Sequence, residues 1–335
     1  MSIVVDGQQK RIGLALSGGG FRATAFHLGV FRKLRELGLL DKLDLLSCVS
    51  GGSIAGAFLA SRWKDPAALD ELDRYLRTRS IAVSSVVGGL LDPFASRLDK
   101  LAGAYDDHLF NGRTLDSLTA GPRLYLNSTN LATGNMFSFV AGGGKPSEMG
   151  EWELGFHPAG SFPVCRAVAA SSSFPPVFPP LRLDQTDYPA AGCEYVTLSD
   201  GGVYDNLGVN PLFRARNDLE YLLVSDAGKP FAIDERPTES GAIVLTESVG
   251  ILMEQVRGLQ FKRLELWTTV EGAKPIWFSI DSAVGEQQPG DATFASGIGT
   301  NLKKLSDPEM TVLLRHAGAL LDSRIRKYTP ELLRH

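Results

Sequence analysis

Two strand–turn–helix units follow each other directly near the start of the chain, and they constrain the fold more than any other feature. The apolar residues 11–16 predict a buried strand, and the helix that follows places Phe26 and Val30 on one face. Residues 43–49 predict the next strand and residues 52–63 the next helix. Such alternation is typical of a parallel sheet covered by helices. The chain is therefore predicted to be an α/β protein.

The rest of the chain continues to alternate between predicted strands and helices. Further strands are predicted at residues 123–130, 136–140, 194–200, 221–227 and 276–281, and further helices at residues 65–79, 247–266 and 308–328. The proline-rich residues 171–183 predict an ordered loop. No linker-like stretch interrupts the 335 residues, so a single domain over residues 1–335 is expected.

The charge and the cysteines of the chain indicate which partners and which compartment to expect. The formal net charge of −4 and the sequence pI of about 5.8 give no basic footprint for nucleic acid. Cys48, Cys165 and Cys193 form no CxxC pair, which is typical of reduced thiols in a cytoplasm. The first residues do not resemble a signal peptide, and the longest apolar run, residues 80–91, is too short to cross a bilayer. We therefore expect a cytoplasmic protein that does not bind nucleic acid.

The segment SGGGFR, from Ser17 to Arg22, connects the first predicted strand to the first predicted helix. Three consecutive glycines, Gly18, Gly19 and Gly20, let the backbone bend sharply and approach a ligand closely. Their N–H groups, with the positive end of the helix dipole, favour negative charge. A plain tight turn needs one glycine or two, so the triplet favours an anion-binding loop.

The second turn places a serine between a strand and a helix. A nucleophile elbow needs small neighbours two residues before and after its serine, and Cys48 and Gly52 flank Ser50 in this way. The N–H of Gly51 would then point toward the oxyanion that forms on a substrate carbonyl. Ser53 is the alternative nucleophile, but it lies in the first helical turn, where serine is ordinarily a cap. The Cys48 thiol, on a strand, is expected to be buried and inert.

The third motif is an aspartate at a strand end. Asp200 follows a β-rich run and precedes Gly201 and Gly202, so its carboxylate can lie against the loop of a neighbouring strand. Taken alone, such a residue more often stabilises its own turn, and Asp226 has a similar setting. The motif becomes informative only beside the other two.

The histidines do not follow the pattern of a catalytic base. Of the five, none lies in a glycine-rich loop at a strand end, and only His108, in YDDHLFNG, is kept in reserve. The sequence therefore favours a two-residue arrangement in which Asp200 itself accepts the proton of Ser50.

The order of these motifs resembles the patatin-like phospholipases. That family has a glycine-rich anion hole ending in a basic residue, then a serine elbow, then a distal Asp-Gly-Gly or Asp-Gly-Ala. The matching positions here are Gly18, Gly19, Gly20, Arg22, Ser50, Asp200, Gly201 and Gly202. Residues 124–139 and 167–180 also resemble blocks of the family, so the resemblance spans residues 11–212. The chain departs from the family at Cys48, where glycine is usual, although a small side chain still permits the turn.

The resemblance implies a three-layer α/β/α sandwich with a mostly parallel central sheet. The motif-bearing core would cover about residues 11–230, followed by an α/β extension over residues 231–335. It also implies hydrolysis of the acyl esters of phospholipids or other lipids, with peripheral membrane contact and with no metal or cofactor.

The resemblance also assigns roles to residues. Ser50 would attack the ester carbonyl and Asp200 would accept its proton. The backbone amides that would hold the oxyanion are those of Gly18, Gly19, Gly20 and Gly51, and the residues that would support the turns are Gly52, Gly201 and Gly202. Arg22 would either contact a substrate phosphate or pack and form hydrogen bonds at the helix end.

Other interpretations remain at this stage. GGGFRA also fits the dinucleotide fingerprint, but the second strand ends at the serine elbow rather than at an acidic residue, and the Gly-Lys-Ser/Thr of a P-loop is absent. The chain could instead hydrolyse small soluble esters, or bind lipid as a scaffold. The apolar, glycine-containing residues 80–94 predict either a lid facing lipid or a core helix.

Overall fold

A computed structural model describes residues 3–81, 97–231 and 240–334. The lid or core helix predicted over residues 80–94 therefore lies almost entirely outside the described residues. The strands are β1 (Ile3–Val5), β2 (Gln8–Lys10), β3 (Ile12–Leu16), β4 (Leu43–Val49), β5 (Arg123–Asn130), β6 (Met136–Ala141), β7 (Glu148–Glu151), β8 (Gly155–Pro158), β9 (Leu181–Asp184), β10 (Tyr195–Asp200), β11 (Tyr221–Asp226) and β12 (Lys274–Ser279). The α-helices are α1 (Gly20–Glu36), α2 (Gly51–Ser61), α3 (Ala68–Thr78), α4 (Arg97–Tyr105), α5 (Val164–Ser171), α6 (Gly202–Asp205), α7 (Gly241–Glu271), α8 (Asp291–Gly297) and α9 (Asp307–Tyr328).

Ten of these strands form one sheet. Its main path runs in the order β12-β11-β3-β4-β5-β6-β7-β8. The neighbours from β12 to β5 are parallel, as the strand–helix alternation requires, whereas β6, β7 and β8 continue the sheet as antiparallel hairpins. Strand β10 pairs antiparallel with the end of β5 and with β9. The predicted α/β/α class with a mostly parallel central sheet is confirmed.

Helices cover both faces of the sheet because the parallel strands are apolar on both sides. Along β3, Leu14 and Leu16 enter one core cluster, whereas Ala15 between them enters the other. The first cluster also contains side chains of α1, α2, α3, α5 and α9. The second contains Leu264 of α7, with Phe261 and other partly buried residues packed against it.

The C-terminal residues share the core of the N-terminal ones. Helix α9 packs against α1, where a Cβ on Gly29 would lie 2.9 Å from the Cβ of Ala317. His316 on α9 is buried, and its Nε2 lies 2.9 Å from the carbonyl oxygen of Ile280, just beyond β12. The predicted extension over residues 231–335 thus packs, in its described parts, on the motif-bearing core.

Three predicted elements differ from the observed ones. The loop predicted over residues 171–183 ends in β9, because Leu181 and Leu183 turn their side chains into the core while the strand pairs with β10. The helix predicted at residues 247–266 is the longer α7, and the strand predicted at 276–281 is β12. Within the described ranges, no helix combines the length and the apolar character that a membrane span requires.

Candidate active site

Strand β5 brings the ends of β4 and β10 together. Val49, the last residue of β4, pairs with Asn127 in the parallel register. The next residue, Ser128, pairs with Asp200 at the end of β10 in the antiparallel register. Because β6 occupies the other edge of β5, β10 continues along the edge where β4 stops. Ser50 and Asp200 therefore meet, although they are far apart in sequence.

Ser50 lies on a sharp turn between β4 and α2. Its backbone φ of 51° and ψ of −115° are unusual for a residue with a side chain, as expected for a nucleophile elbow. The Ser50 N–H donates to Ser171 Oγ at 3.1 Å, which fixes the turn. A side chain at Gly52 would overlap the carbonyl oxygen of Leu16, so the turn is possible only with glycine there. Cys48 is fully buried as predicted, and burial raises the pKa of its thiol.

The glycine loop lies directly against this elbow. Gly19 and Gly20 have φ values of 142° and 60°, in the region that favours glycine. A Cβ on Gly51 would lie 2.9 Å from the backbone nitrogen of Gly20, so the two backbones touch. Among the residues that the structure describes, no acceptor is found for the N–H groups of Gly19, Gly20 and Gly51. Two of these donors open helices α1 and α2, where the N–H groups have no partner within the helix.

Gly18 has a different role from the predicted one. Its N–H donates to the carbonyl oxygen of Asn206 at 3.1 Å, so the prediction that Gly18 supplies an oxyanion donor is wrong. The absence of a side chain at Gly18 instead leaves room for Ser50 and Asn206. A Cβ there would lie 3.2 Å from the Ser50 Cβ and would overlap the Asn206 amide oxygen.

Asp200 is buried beside Ser50, with 2% of its surface exposed. Its Oδ1 accepts the N–H of Gly202 at 2.7 Å. Burial raises the pKa of Asp200 to about 7, although the Gly202 N–H and the nearby Ser50 side chain oppose the shift. A side chain on Gly201 would overlap the Asn127 carbonyl oxygen, and one on Gly202 would lie 3.0 Å from Asp200 Oδ1. Neither position could therefore carry a side chain unless its neighbours moved.

The competing residues have partners of their own. Asp226 Oδ2 lies 2.6 Å from Arg257 Nε in an ion pair. The hydroxyl of Ser53 is buried and lies 2.8 Å from Ser171 Oγ. Both rivals are therefore engaged in contacts that stabilise the fold.

The described histidines make no hydrogen bond to Ser50 or Asp200. His27 is buried with its Nδ1 2.9 Å from Ser225 Oγ and its Nε2 2.9 Å from the Ser17 carbonyl, and burial lowers its pKa to about 4. The ring of His108, the one kept in reserve, lies beside Tyr75 at 6.3 Å between centroids. The titratable side chain that the Ser50 hydroxyl influences is thus the Asp200 carboxylate rather than a histidine.

Arg22 does not face the site. It is fully buried, with Nη1 donating to the Ile298 carbonyl at 2.7 Å and Nη2 to the Ala227 carbonyl at 3.0 Å. Burial lowers the pKa of Arg22 to about 10, and the nearby Asp226 opposes the shift. The predicted contact with a substrate phosphate is therefore wrong, and the alternative role in packing and hydrogen bonding is the observed one.

Two further residues of the site, Asn206 and Ser171, carry no motif in the sequence. Asn206 accepts the Gly18 N–H, and its amide lies so close that a Cβ on Gly202 would be 2.8 Å from its Oδ1. Ser171, at the end of α5, accepts from Ser50 N and donates to the Asn127 carbonyl at 2.5 Å. Neither residue lies at a strand end or in a periodic position, so only the assembled structure reveals them. In the parts of the chain that the structure describes, no group of three or more His, Cys, Asp or Glu side chains could hold a metal ion.

Comparisons with known proteins identify a family and a fold. Residues 14–213 match the family profile "Patatin-like phospholipase". A search of curated protein sequences gives no significant match. The chain is similar in structure to human GIVD cytosolic phospholipase A2, with a TM-score of 0.61, 13% identity, and coverage of 97% of this chain and 62% of that one.

The same human protein in complex with methyl gamma-linolenyl fluorophosphonate gives a TM-score of 0.58 and 15% identity, over 97% of this chain and 58% of that one. The chain thus spans about three fifths of the length of these structures, and the likeness at such identity shows the fold alone. Because the family profile covers more than half of the chain, the chain belongs to the patatin-like phospholipase family.

Proposed function

We propose that this protein is a serine acyl hydrolase that cleaves fatty-acyl ester bonds of phospholipids or related lipids. The observation that carries the proposal is the meeting of Ser50, just after β4, with the buried carboxylate of Asp200 at the end of β10, which neighbouring residues of β5 bring together. A carboxylate with a pKa raised to about 7 is a stronger base than an ordinary aspartate and is still largely ionised at slightly alkaline pH.

In the first step, the Ser50 oxygen attacks the ester carbonyl while its proton passes to Asp200. The carbonyl oxygen becomes an oxyanion, which the N–H groups of Gly19, Gly20 and Gly51 would hold, since no acceptor is found for them among the described residues. When the tetrahedral intermediate collapses, the bond to the leaving alcohol breaks and Asp200 returns the proton to the alcohol oxygen. The lipid alcohol departs, and the fatty acid remains as an ester of Ser50.

The second step repeats the first with water as the nucleophile. Asp200 accepts a proton from the water, whose oxygen attacks the acyl carbonyl, and the same three N–H groups hold the oxyanion. Collapse of this intermediate releases the fatty acid, and the proton on Asp200 returns to the Ser50 oxygen. No group outside the chain is consumed except water.

Family membership supports the choice of a lipid ester as the substrate. The human structural neighbour carries a fluorophosphonate with a fatty chain, a reagent class that serine oxygens attack with loss of fluoride. We therefore expect the same reagent class to label this chain at Ser50.

A fluorophosphonate probe tests the nucleophile. Wild-type protein should be labelled and Ser50→Ala should not. Ser53→Ala is the matched control: it removes a hydroxyl three residues away that is buried against Ser171, and it should remain labelled. Labelling that survives in Ser50→Ala but disappears in Ser53→Ala would reverse the assignment.

Mass spectrometry of lipid products then tests the substrate class. Phospholipid vesicles treated with the wild type should yield free fatty acid and the deacylated lipid, and Asp200→Asn should yield neither above background. Cleavage of a short soluble ester without any release from lipid would instead identify a general esterase. Absence of both activities, with the fold intact by circular dichroism, would identify a non-catalytic lipid-binding protein.

A further inference from the structure

Helix α7 is longer than is needed to connect the two strands that it joins. It connects the parallel strands β11 and β12, and its 31 residues extend about 46 Å. Arg257 marks its level relative to the sheet. Its guanidinium contacts Asp226 at 2.6 Å and Ser279 at 3.2 Å, and these are the last residues of β11 and β12. Residue 257 therefore lies level with the carboxyl ends of these strands.

The first half of α7 projects beyond that edge of the sheet. Residues 241–256 precede Arg257 and correspond to about 24 Å of helix. Ser50 follows the carboxyl end of β4, which is parallel to β3 and β11 in the same sheet, so the helix projects on the side of the active site. Contact with the site is direct, because a Cβ on Gly202 would lie 2.9 Å from the terminal methyl of Met253.

The projecting half exposes large apolar side chains. Five of them are between 42% and 63% exposed, and they are Ile243, Val244, Leu245, Ile251 and Leu252. We call these five residues the α7 apolar tip. Its first three members are consecutive, and successive residues of a helix are about 100° apart, so they cover about 200° of the helix surface. An exposed group of this kind, beside a site for an insoluble substrate, is typical of an interaction surface.

The charges of the same segment are few and acidic. Residues 241–256 contain only Glu247 and Glu254 among charged residues, with no Lys or Arg. Glu254 is paired with Arg257 at 2.9 Å. This segment therefore offers no positive charge to an anionic partner. An apolar partner that covers it would desolvate few charged side chains.

We propose that the α7 apolar tip inserts into the interfacial region of a phospholipid bilayer and holds the active site against it. The inference rests on the proposed function, because a lipid substrate is what the site must reach. Burial of the five apolar side chains among acyl chains supplies the binding energy. Since the segment lacks basic residues, binding should be as strong on neutral phosphatidylcholine as on vesicles containing phosphatidylserine, and added salt should not weaken it.

A second copy of the chain is the competing occupant. Leu245, Leu252, Leu259 and Leu266 are spaced by seven residues, as in a coiled coil, and each is between 59% and 63% exposed. A coiled-coil partner would use all four leucines. A bilayer would reach only the first two, since Leu259 and Leu266 follow Arg257 and lie alongside the sheet. The spread of the tip around the helix favours the bilayer, because one partner helix would cover a single stripe.

The leucine spacing also provides a matched experiment. Leu245→Asp with Leu252→Asp is compared with Leu259→Asp with Leu266→Asp, two pairs of equal type, spacing and exposure on one helix. Binding of the full chain to phosphatidylcholine vesicles is measured by co-sedimentation, and self-association is measured by analytical ultracentrifugation. The first pair should weaken vesicle binding at least about tenfold, and the second pair should change it less than about twofold.

An environment-sensitive dye gives an independent readout. It remains informative if a double variant misfolds, because it needs only one leucine to be replaced on α7. In a Cys193→Ser background, Leu245→Cys carries the dye at the tip and Leu266→Cys carries it alongside the sheet, while Cys48 and Cys165 are buried. Phosphatidylcholine vesicles should shift the emission of the first label to the blue and leave the second unchanged. Equal responses of the two labels, equal losses of the two leucine pairs, or dimerisation through all four leucines would overturn the proposal.

The experiments distinguish an error in the proposed membrane-binding surface from an error in the proposed function. Hydrolysis of a soluble short-chain ester reports the catalytic residues alone, and both leucine pairs should retain it. Vesicle binding without any hydrolysis would contradict the function but support the surface. Hydrolysis of detergent-dispersed lipid by a protein that does not bind vesicles would contradict the surface alone.

Discussion

The ends of β10 and β11 are nearly the same in sequence and differ in chemistry. LSDGG ends β10 at Asp200, and VSDAG ends β11 at Asp226. Both side chains are buried, and each Oδ1 accepts the N–H of the residue two positions later, at 2.7 Å from Gly202 and 2.9 Å from Gly228. The two turns are therefore equivalent as local structures.

The partners of the two carboxylates are different. Asp226 is paired with Arg257, and the buried Arg22 is close enough to interact with it electrostatically. Asp200 lies beside the neutral Ser50 hydroxyl, no ion pair is found for it among the described residues, and burial raises its pKa to about 7. A carboxylate opposite an arginine serves as a structural anchor, whereas burial without a cation raises the pKa of a carboxylate. The partner, rather than the motif, thus distinguishes the structural anchor Asp226 from the proposed base Asp200.

The largest expected difference between the two aspartates is in catalysis. Asp200→Asn should lower kcat/KM for a soluble ester by about 10³-fold, because the amide cannot accept the Ser50 proton. Asp226→Asn should lower it less than about tenfold, since Asp226 has no contact with Ser50. Steady-state kinetics of the two purified variants measures both effects. Comparable losses in the two would contradict the assignment of the base.

The same two substitutions should change stability in opposite directions. Folding disfavours the ionised form of Asp200, so its penalty is absent below pH 3.8, grows as the pH rises and is complete above about pH 7. Asp200→Asn should therefore raise the free energy of unfolding at pH 8, by up to about 4 kcal/mol, and by less than about 2 kcal/mol at pH 5. Asp226→Asn should lower it by about 3 kcal/mol, because Arg257 loses the buried one of its two carboxylate partners and keeps only the more exposed Glu254. Urea unfolding at pH 8 and pH 5 measures both free energies. A loss of stability in both variants would contradict the prediction.

The smallest expected effect is in the pH dependence of the wild type. The reaction needs ionised Asp200, so kcat/KM should reach a plateau above about pH 7 and fall about tenfold per pH unit below it. The Asp226→Asn variant should keep the same midpoint, since Asp226 is not the group that titrates in the reaction. A midpoint near pH 4, or one that moves with Asp226→Asn, would disprove the role of the raised pKa.

Much of the fold and of the site could be predicted from the sequence. The strands around Ser50 and Asp200 were predictable because their apolar runs stop at glycine-rich turns, a signal carried by neighbouring residues. The same local logic identified Gly19, Gly20 and Gly51 and the buried Cys48. It could not show that the Gly18 N–H donates to the Asn206 carbonyl oxygen, because that acceptor comes from a turn distant in sequence.

Arg22 shows the same limit. A basic residue after a glycine loop is as compatible with a phosphate contact as with packing, and the choice depends on the carbonyls of Ala227 and Ile298. Strand β9 was missed because the prolines just before it favour a loop and the pairing that β10 imposes is not visible in the sequence. The projection of α7 past the sheet was also missed, since helix periodicity gives a length but no position relative to the strands.

The sequence by itself determined the local conformations: where strands end, which turns need glycine, and which serine occupies the elbow. These depend on steric limits and apolar patterns that act between near neighbours. Only the tertiary structure decided that Asp200 faces Ser50 while Asp226 faces Arg257, because β10 takes the edge of β5 that β4 leaves and α7 brings its guanidinium to β11. Burial and charge partners depend on which segments meet across the sheet, and those contacts set the chemistry of otherwise equal side chains.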